Sequence, residues 1–299
     1  MDIVSSRHVT WTDAENPTED HIRSLQKKHP IHPLVLHELQ AVTYRPKIEE
    51  YDDHLFLVLH FPVFDERERA TRSRELDFVI FPYHLITVHY DPLPQLGEFQ
   101  EMLGGHEAIR ERRFGINSSI LLHSIVSHLF RLSLDELESI DQKVRKIEKI
   151  VFDKEMSGVL TDIAEVRRDI LSFRKALKPQ GRVLESLAER GKKFFGADFA
   201  PYFNDIRTEY IQLWNEVEDL QENLDVLYET HVSLVSLNSN EVMKTLTIMA
   251  SLLLPATLIA SIYGMNVKNA PLHGFWSIVG LITVAVFVIY RYFKHRRWL

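Results

Sequence analysis

Residues 240–266 read NEVMKTLTIMASLLLPATLIASIYGMN, and the fold follows from how this stretch meets its surroundings. From 245 to 267 there are 23 residues without a Lys, Arg, Asp or Glu, and after Lys268 a second such run of 22 covers 269–290. About 20 helical residues at about 1.5 Å rise cross a hydrocarbon core of roughly 30 Å, so each run is long enough to span a bilayer. Lys244 precedes the first run, Arg291, Lys294, Arg296 and Arg297 follow the second, and the connecting loop carries only Lys268. The positive-inside rule then makes the pair a hairpin with both flanks cytoplasmic and a very short external loop. Trp276, Tyr290, Tyr292 and Trp298 fall where interfacial aromatic anchors are expected.

A second pattern is superposed on the first span. Asn240, Met243, Thr247, Ala250, Leu254, Thr257 and Ser261 recur at spacings of three and four, and four of these seven are Asn, Thr or Ser between faces of Leu, Ile and Met. Such a stripe either packs on other helices through small residues or lines water. Two spans cannot enclose a hydrated path, so a pore requires several copies around an axis. Pro255 is compatible with a membrane helix, where neighbouring groups satisfy the freed carbonyl.

Upstream, Ile206, Tyr210, Leu213, Val217, Leu220, Leu224, Leu227, His231, Leu234 and Asn238 follow a 3.5-residue repeat over more than four heptads. No Gly or Pro interrupts residues 203–254, so one helix of about 60 residues, roughly 90 Å long, is expected to run into the first span. Its seam serves either an oligomeric stalk or packing on the preceding helices. Residues 204–230 carry eight acids and one base, Arg207, which reads as a solvated face or as a surface that attracts divalent cations.

Helical periodicity also covers the stretch from Ser118 to Val151 and a second one from Val159 to Leu177, with an interruption expected at Pro179 and Gly181. Residues 31–90 alternate a helical IHPLVLHELQ with the β-rich runs LFLVLHFPVF, LDFVIFP and HLITVHY, the mark of an α/β domain of about 115 residues. Segment boundaries are therefore expected as an α/β domain at 1–115, a helical region at 116–203, stalk and first span at 204–266, an external loop at 267–273, and second span with basic tail at 274–299.

Composition removes several classes. The 299 residues contain no Cys, which excludes a disulfide scaffold, a thiolate metal site and a thiol nucleophile. A net charge of -7 argues against nucleic acid as a partner. The first residues show no apolar run behind a basic one, so no secretory leader is expected. There is no phosphate-binding glycine loop, His-Glu-x-x-His pair or nucleophile elbow, and the chain does not read as an enzyme. His29, His32 and His37 match no zinc spacing and read as core or surface histidines.

At the end of the first span stands Tyr263-Gly264-Met265-Asn266, which resembles the signature of the CorA magnesium transporter family. Asn240-Glu241-Val242-Met243-Lys244, Pro255, the basic tail ending Arg297-Trp298-Leu299, His32-Pro33-Leu34-Val35-Leu36 and Arg45-Pro46-Lys47 extend the resemblance towards both ends of the chain. It implies an α+β membrane protein: an αβα cytoplasmic domain, and a long coiled-coil-like stalk helix that continues into the pore-lining first span. It also implies a homopentameric channel of the cell (inner) membrane, both termini cytoplasmic, surrounded by lipid. Mg²⁺ would be the cargo, with Co²⁺ or Ni²⁺ as alternatives, and no resident cofactor is implied.

By the same resemblance Gly264, Met265 and Asn266 form the entrance filter. Asn240, Met243, Leu246, Thr247, Ala250, Leu254, Thr257 and Ser261 line the pore, with the polar constriction at Asn240 and an apolar gate among Met243, Leu246 or Thr247, and Leu254. Regulatory Mg²⁺ would bind between protomers at Glu38 and Asp205. A ring of neutral oxygens suits Mg²⁺, which gives up its water reluctantly. One departure is the external loop, where Lys268 stands and acids are absent, so that the mouth would repel divalent cations at low ionic strength. The competing readings are a proton-coupled Zn²⁺ carrier on the same scaffold and a membrane-anchored coiled-coil scaffold or sensor without transport.

Overall fold

The computed structural model describes residues 1–299 apart from 66–69, 106, 154–157, 266–273, 297 and 299. The chain divides into two units, Met1–Tyr228 and Glu229–Leu299. Strands β1 (Asp2–Ser5), β2 (Thr10–Glu15), β3 (Lys47–Glu50), β4 (Leu55–Asp65), β5 (Ala70–Ile80) and β6 (His84–His89) form one sheet in the order β1-β2-β6-β5-β4-β3. Only β2 and β6 are parallel. Residues 55–63 of β4 are buried without alternation, because helices cover both faces of the sheet.

On one face, helices α1 (Glu19–Lys28) and α2 (Pro33–Glu38) bring Ile22, Leu25, Val35 and Leu36 onto Phe56, Val58, Val79 and Ile86. Thr18 and His32 cap their N-termini, and Pro33 occupies the first turn of α2, where its missing N–H costs nothing. After β6 come α3 (Pro94–Gly105) and α4 (Glu107–Phe114); Phe99 of α3 meets Trp11 of β2 edge-on at 5.8 Å. The other face receives α5 (Ser118–Phe152) and α6 (Val159–Leu177), with Phe130 tilted on Phe61 at 5.6 Å.

At Pro179 the chain does not open into a loop. A single 3₁₀ turn, Lys178–Gln180, leads straight into α7 (Gly181–Phe195), because Pro fits the first turn of a helix. Gly181 and Gly191 let α7 close onto α8 (Ala200–Gly264): a Cβ at 191 would stand 2.6 Å from the Phe203 ring, and one at 181 would stand 3.1 Å from the Tyr210 hydroxyl. Strand β3 pairs only with residues 55–58 of β4. Beyond it the free N–H and C=O of His60 are taken by the Gln180 side chain at 3.2 and 2.6 Å. Pro62 is tolerated two residues on, since its absent N–H would face this same free edge.

The seam read from sequence is buried from Ile206 to Leu227, and its partners are helices of the same chain. The Tyr210 hydroxyl donates to the Leu177 carbonyl at 3.2 Å, Arg174 lies over the Trp214 ring at 5.8 Å, and Arg167 pairs with Asp225. Packing on the preceding helices is thus the role of this part of the repeat.

Four histidines meet where sequence spacing offers no hint. The rings of His29 and His84 lie 4.2 Å apart, those of His29 and His54 flank Phe81 at 5.4 and 5.2 Å, and His32 reaches His54 through the stacked Tyr51 ring. Burial lowers the basicity of His29, His54 and His84, and the neighbouring His29 and Lys28 charges help push His84 down to about 4. Histidines that hold protons more weakly folded than unfolded contribute stability that is complete above about 6.5 and is lost as pH falls from there towards 4. The unfolding midpoint of the N-terminal unit is therefore expected to drop between pH 7 and 5, followed by far-UV circular dichroism of the whole protein. His84→Gln should flatten that slope, and an unchanged slope would refute the assignment.

Candidate functional site

In the second unit α8 continues to Gly264, and α9 (Phe275–His295) follows. Both are long and apolar enough to cross a membrane; the most apolar window of the first is 6% buried and that of the second 0%. Met243, Leu246, Met249, Leu253, Leu254 and Leu258 are each more than half exposed. Leaving these six partly covered side chains in water would forfeit roughly 5–11 kcal/mol, comparable with the net stability of an ordinary domain. Hydrocarbon or other helices must cover them.

The two helices nevertheless have an inner side. Along the spans the less exposed positions on α8 are Ile248, Ser251, Leu252, Pro255, Ala256, Ile259 and Tyr263; on α9 they are Ile278, Val279, Ile282, Ala285, Val286, Ile289 and Phe293. Both series repeat with helical periodicity, so each occupies one face of its helix. The eight residues nominated from sequence, Asn240, Met243, Leu246, Thr247, Ala250, Leu254, Thr257 and Ser261, are all exposed. At 3.6 residues per turn their mean direction lies about 160° round α8 from the less exposed face. The polar stripe and the less exposed face are therefore nearly opposite.

Pro255 leaves α8 unbroken. The Thr247 hydroxyl donates to the Met243 carbonyl at 2.8 Å, and the Thr257 hydroxyl to the Leu253 and Leu254 carbonyls at 3.1 and 2.9 Å. Each oxygen, its own hydrogen spent on the helix, is left as an acceptor. Acceptors are what the water shell of a cation requires, since its hydrogens point outward. Gly264 ends α8 and Met265 is exposed beyond it, while Asn266 and the loop with Lys268 lie outside the described residues.

The two nominated regulatory acids each meet a side chain of the same chain. Glu38 ends α2 and pairs with Lys47, which also bonds Glu49 at 3.0 Å. Asp205 sits on the first turns of α8, 2.8 Å from His123 Nε2 on α5. No group of three or more His, Asp or Glu side chains among the described residues is arranged to hold a metal ion. Sequence reading missed the neighbours of Asp205: Glu209 one turn on, pushed upward in pKa by burial, with the Asp205 charge adding to it, and Ser127 one turn from His123. The i,i+4 pairs Asp205/Glu209 and His123/Ser127 were the available signal.

Two apolar helices long enough to span a bilayer, the first continuing a long helix that begins in an αβ domain and carrying one exposed polar stripe, are the architecture of a membrane protein. The chain matches the family described as CorA-like Mg²⁺ transporter protein over residues 6–295, and it belongs to that family. It is 30% identical over 284 residues to the cobalt/magnesium transport protein CorA of Thermotoga maritima, covering 90% of this chain and 77% of that one. The complete structure of the CorA magnesium transporter from Methanocaldococcus jannaschii superposes with a TM-score of 0.84 over 100% of this chain and 95% of the other, at 23% identity. The full-length CmaX protein follows at 0.77 and 20% identity, covering 97% and 89%. These two likenesses establish the fold: soluble αβ domain, long helix, two apolar helices. Family members are ion transporters and not enzymes, which sets aside the scaffold reading.

Because the chain lacks cysteine, single thiols report the two faces of α8 directly. Thr247→Cys and Thr257→Cys in membrane vesicles are expected to react with a small charged maleimide or thiosulfonate at least tenfold faster than Ile248→Cys. Equal rates would contradict the division into a wet face and a packed one.

Proposed function

We propose that this CorA-family transporter is a homopentamer that carries Mg²⁺ down its electrochemical gradient, with Co²⁺ or Ni²⁺ as alternative cargo. The observation that carries the reading is the exposed stripe from Asn240 to Ser261, set nearly opposite the less exposed face of α8. Placed around an axis, five copies of that stripe enclose a path whose Thr and Asn oxygens accept from a hydrated ion. Met243, Leu246 and Leu254 supply apolar rings that close by dewetting. Gly264, Met265 and Asn266 form the entrance filter, where neutral oxygens hold the ion through its water shell. A membrane potential of 100 mV favours entry of a doubly charged ion by about 4.6 kcal/mol, so no resident cofactor or nucleotide hydrolysis is needed.

The protein resides in the cell (inner) membrane with both termini cytoplasmic, as the basic residues flanking the spans support. Mg²⁺ held between Glu38 of one subunit and Asp205 of the next keeps the acidic subunits together and the pore closed. Its loss releases like-charge repulsion and biases opening. The present partners of these acids, Lys47 and His123, are then exchanged or displaced on binding.

Uptake of Mg²⁺ into liposomes holding the purified protein, read by an internal fluorescent indicator, tests the transport reading. Saturable uptake is expected, competed by Co²⁺ and Ni²⁺, and reduced at least tenfold by Asn266→Ala. Uptake by that variant at the unaltered rate would remove the filter assignment. Glu38→Ala with Asp205→Ala should leave uptake intact while weakening its inhibition by internal Mg²⁺ several-fold. An unchanged inhibition curve would remove the regulatory site.

A further inference from the structure

The N-terminal unit holds a cavity that transport does not use. It lies at the free edge of β4, where β3 has ended and Gln180 takes over the backbone groups of His60. The segment that enters β3 and the junction of α6 with α7 wall in a space of about 770 Å³, the size of a small-molecule site. Arg45, of the Arg45-Pro46-Lys47 stretch, lines it together with Lys175 and Arg182. None of these three has an ion pair or hydrogen bond among the described residues, whereas the acid at the rim, Asp91, is already held by Arg74 at 2.7 Å.

The opposite side of the cavity is polar and short of donors. His60 and Glu75 face each other across β4 and β5, with His60 Nε2 3.6 Å from Glu75 Oε2. Glu75 Oε2 and His60 Nδ1 are buried without a hydrogen bond. A buried polar atom left unpaired is costly, and a ligand able to bond these two would recover that cost. Tyr44 stands at the mouth with 91% of its surface exposed, an aromatic face with nothing upon it.

We propose that this cavity binds a nucleoside polyphosphate. The phosphates lie against Arg45, Lys175 and Arg182, the hydroxyls or amino group of the nucleoside meet Glu75 and His60, and the base rests on Tyr44. Three unpaired cations select a polyanion and repel a bare divalent ion. A simple polyphosphate carries no donor for the Glu75 oxygen and no flat face for the tyrosine, whereas a nucleoside offers both. Attraction through exposed cations weakens with salt, so affinity should fall as ionic strength rises.

Calorimetric titration of the purified full-length protein with ATP, AMP and inorganic tripolyphosphate tests this without reference to transport. Saturable ATP binding is expected, at least tenfold tighter than AMP and than tripolyphosphate, and weakened at least tenfold by Lys175→Ala with Arg182→Ala. Tyr44→Ala should weaken ATP several-fold and leave tripolyphosphate unchanged. All three replaced side chains are exposed, and an unaltered circular dichroism melt confirms the fold of each variant. No saturable ATP binding, or ATP affinity indifferent to the lysine and arginine substitutions, overturns the site. Tripolyphosphate binding as tightly as ATP overturns the assignment to a nucleoside ligand.

Discussion

A divalent ion in hydrocarbon is so costly that its path must be wet along its whole length, and two helices cannot shield water from lipid. That constraint explains the arrangement of α8. Its less exposed face, Ile248 to Tyr263, is largely apolar; the opposite face carries Asn240, Thr247, Thr257 and Ser261. The hydroxyls of Thr247 and Thr257 are tied to carbonyls of their own helix, so the stripe survives an apolar surrounding and still presents acceptors.

Along α8 one periodicity serves two different tasks. Ile206 to Leu227 sink into the N-terminal unit against α5, α6 and α7, where Gly181 and Gly191 admit the close approach. From Leu234 onward the same three-and-four spacing no longer coincides with burial, and Asn238 is exposed. A seam written as one heptad repeat thus folds the chain along its first part and leaves the remainder exposed. Acids on the outer side of the buried part, among them Asp205, Glu216 and Glu222, collect negative charge along this stretch of α8.

The spans, the stripe and the long helix were legible because hydrocarbon imposes long uncharged runs and a helix imposes a fixed period. The runs that became β4, β5 and β6 were legible for a similar reason: strands covered on both faces are continuously apolar. Strand β2 was hidden, since TWTDAE carries Asp13, and Asp13 is buried only because Thr87, Gln100 and His89 surround it. Such a network of polar partners, distant in sequence, leaves no trace in hydropathy. Strand β3 was missed because KIEE is only partly buried at an edge. The histidine cluster around Phe81 and the cations around the β4 edge come together through sheet register and a helix junction, and neither can be read from spacing.

Cross-linking between copies tests most directly whether the exposed face of α8 is turned towards a common axis. Leu254→Cys, introduced into the cysteine-free chain in native membranes and treated with a short bifunctional thiol reagent, should give a ladder of bands that ends at a closed ring of five. Monomers alone, from a variant that still takes up Mg²⁺, would contradict the enclosure of the ion path by several copies of this helix.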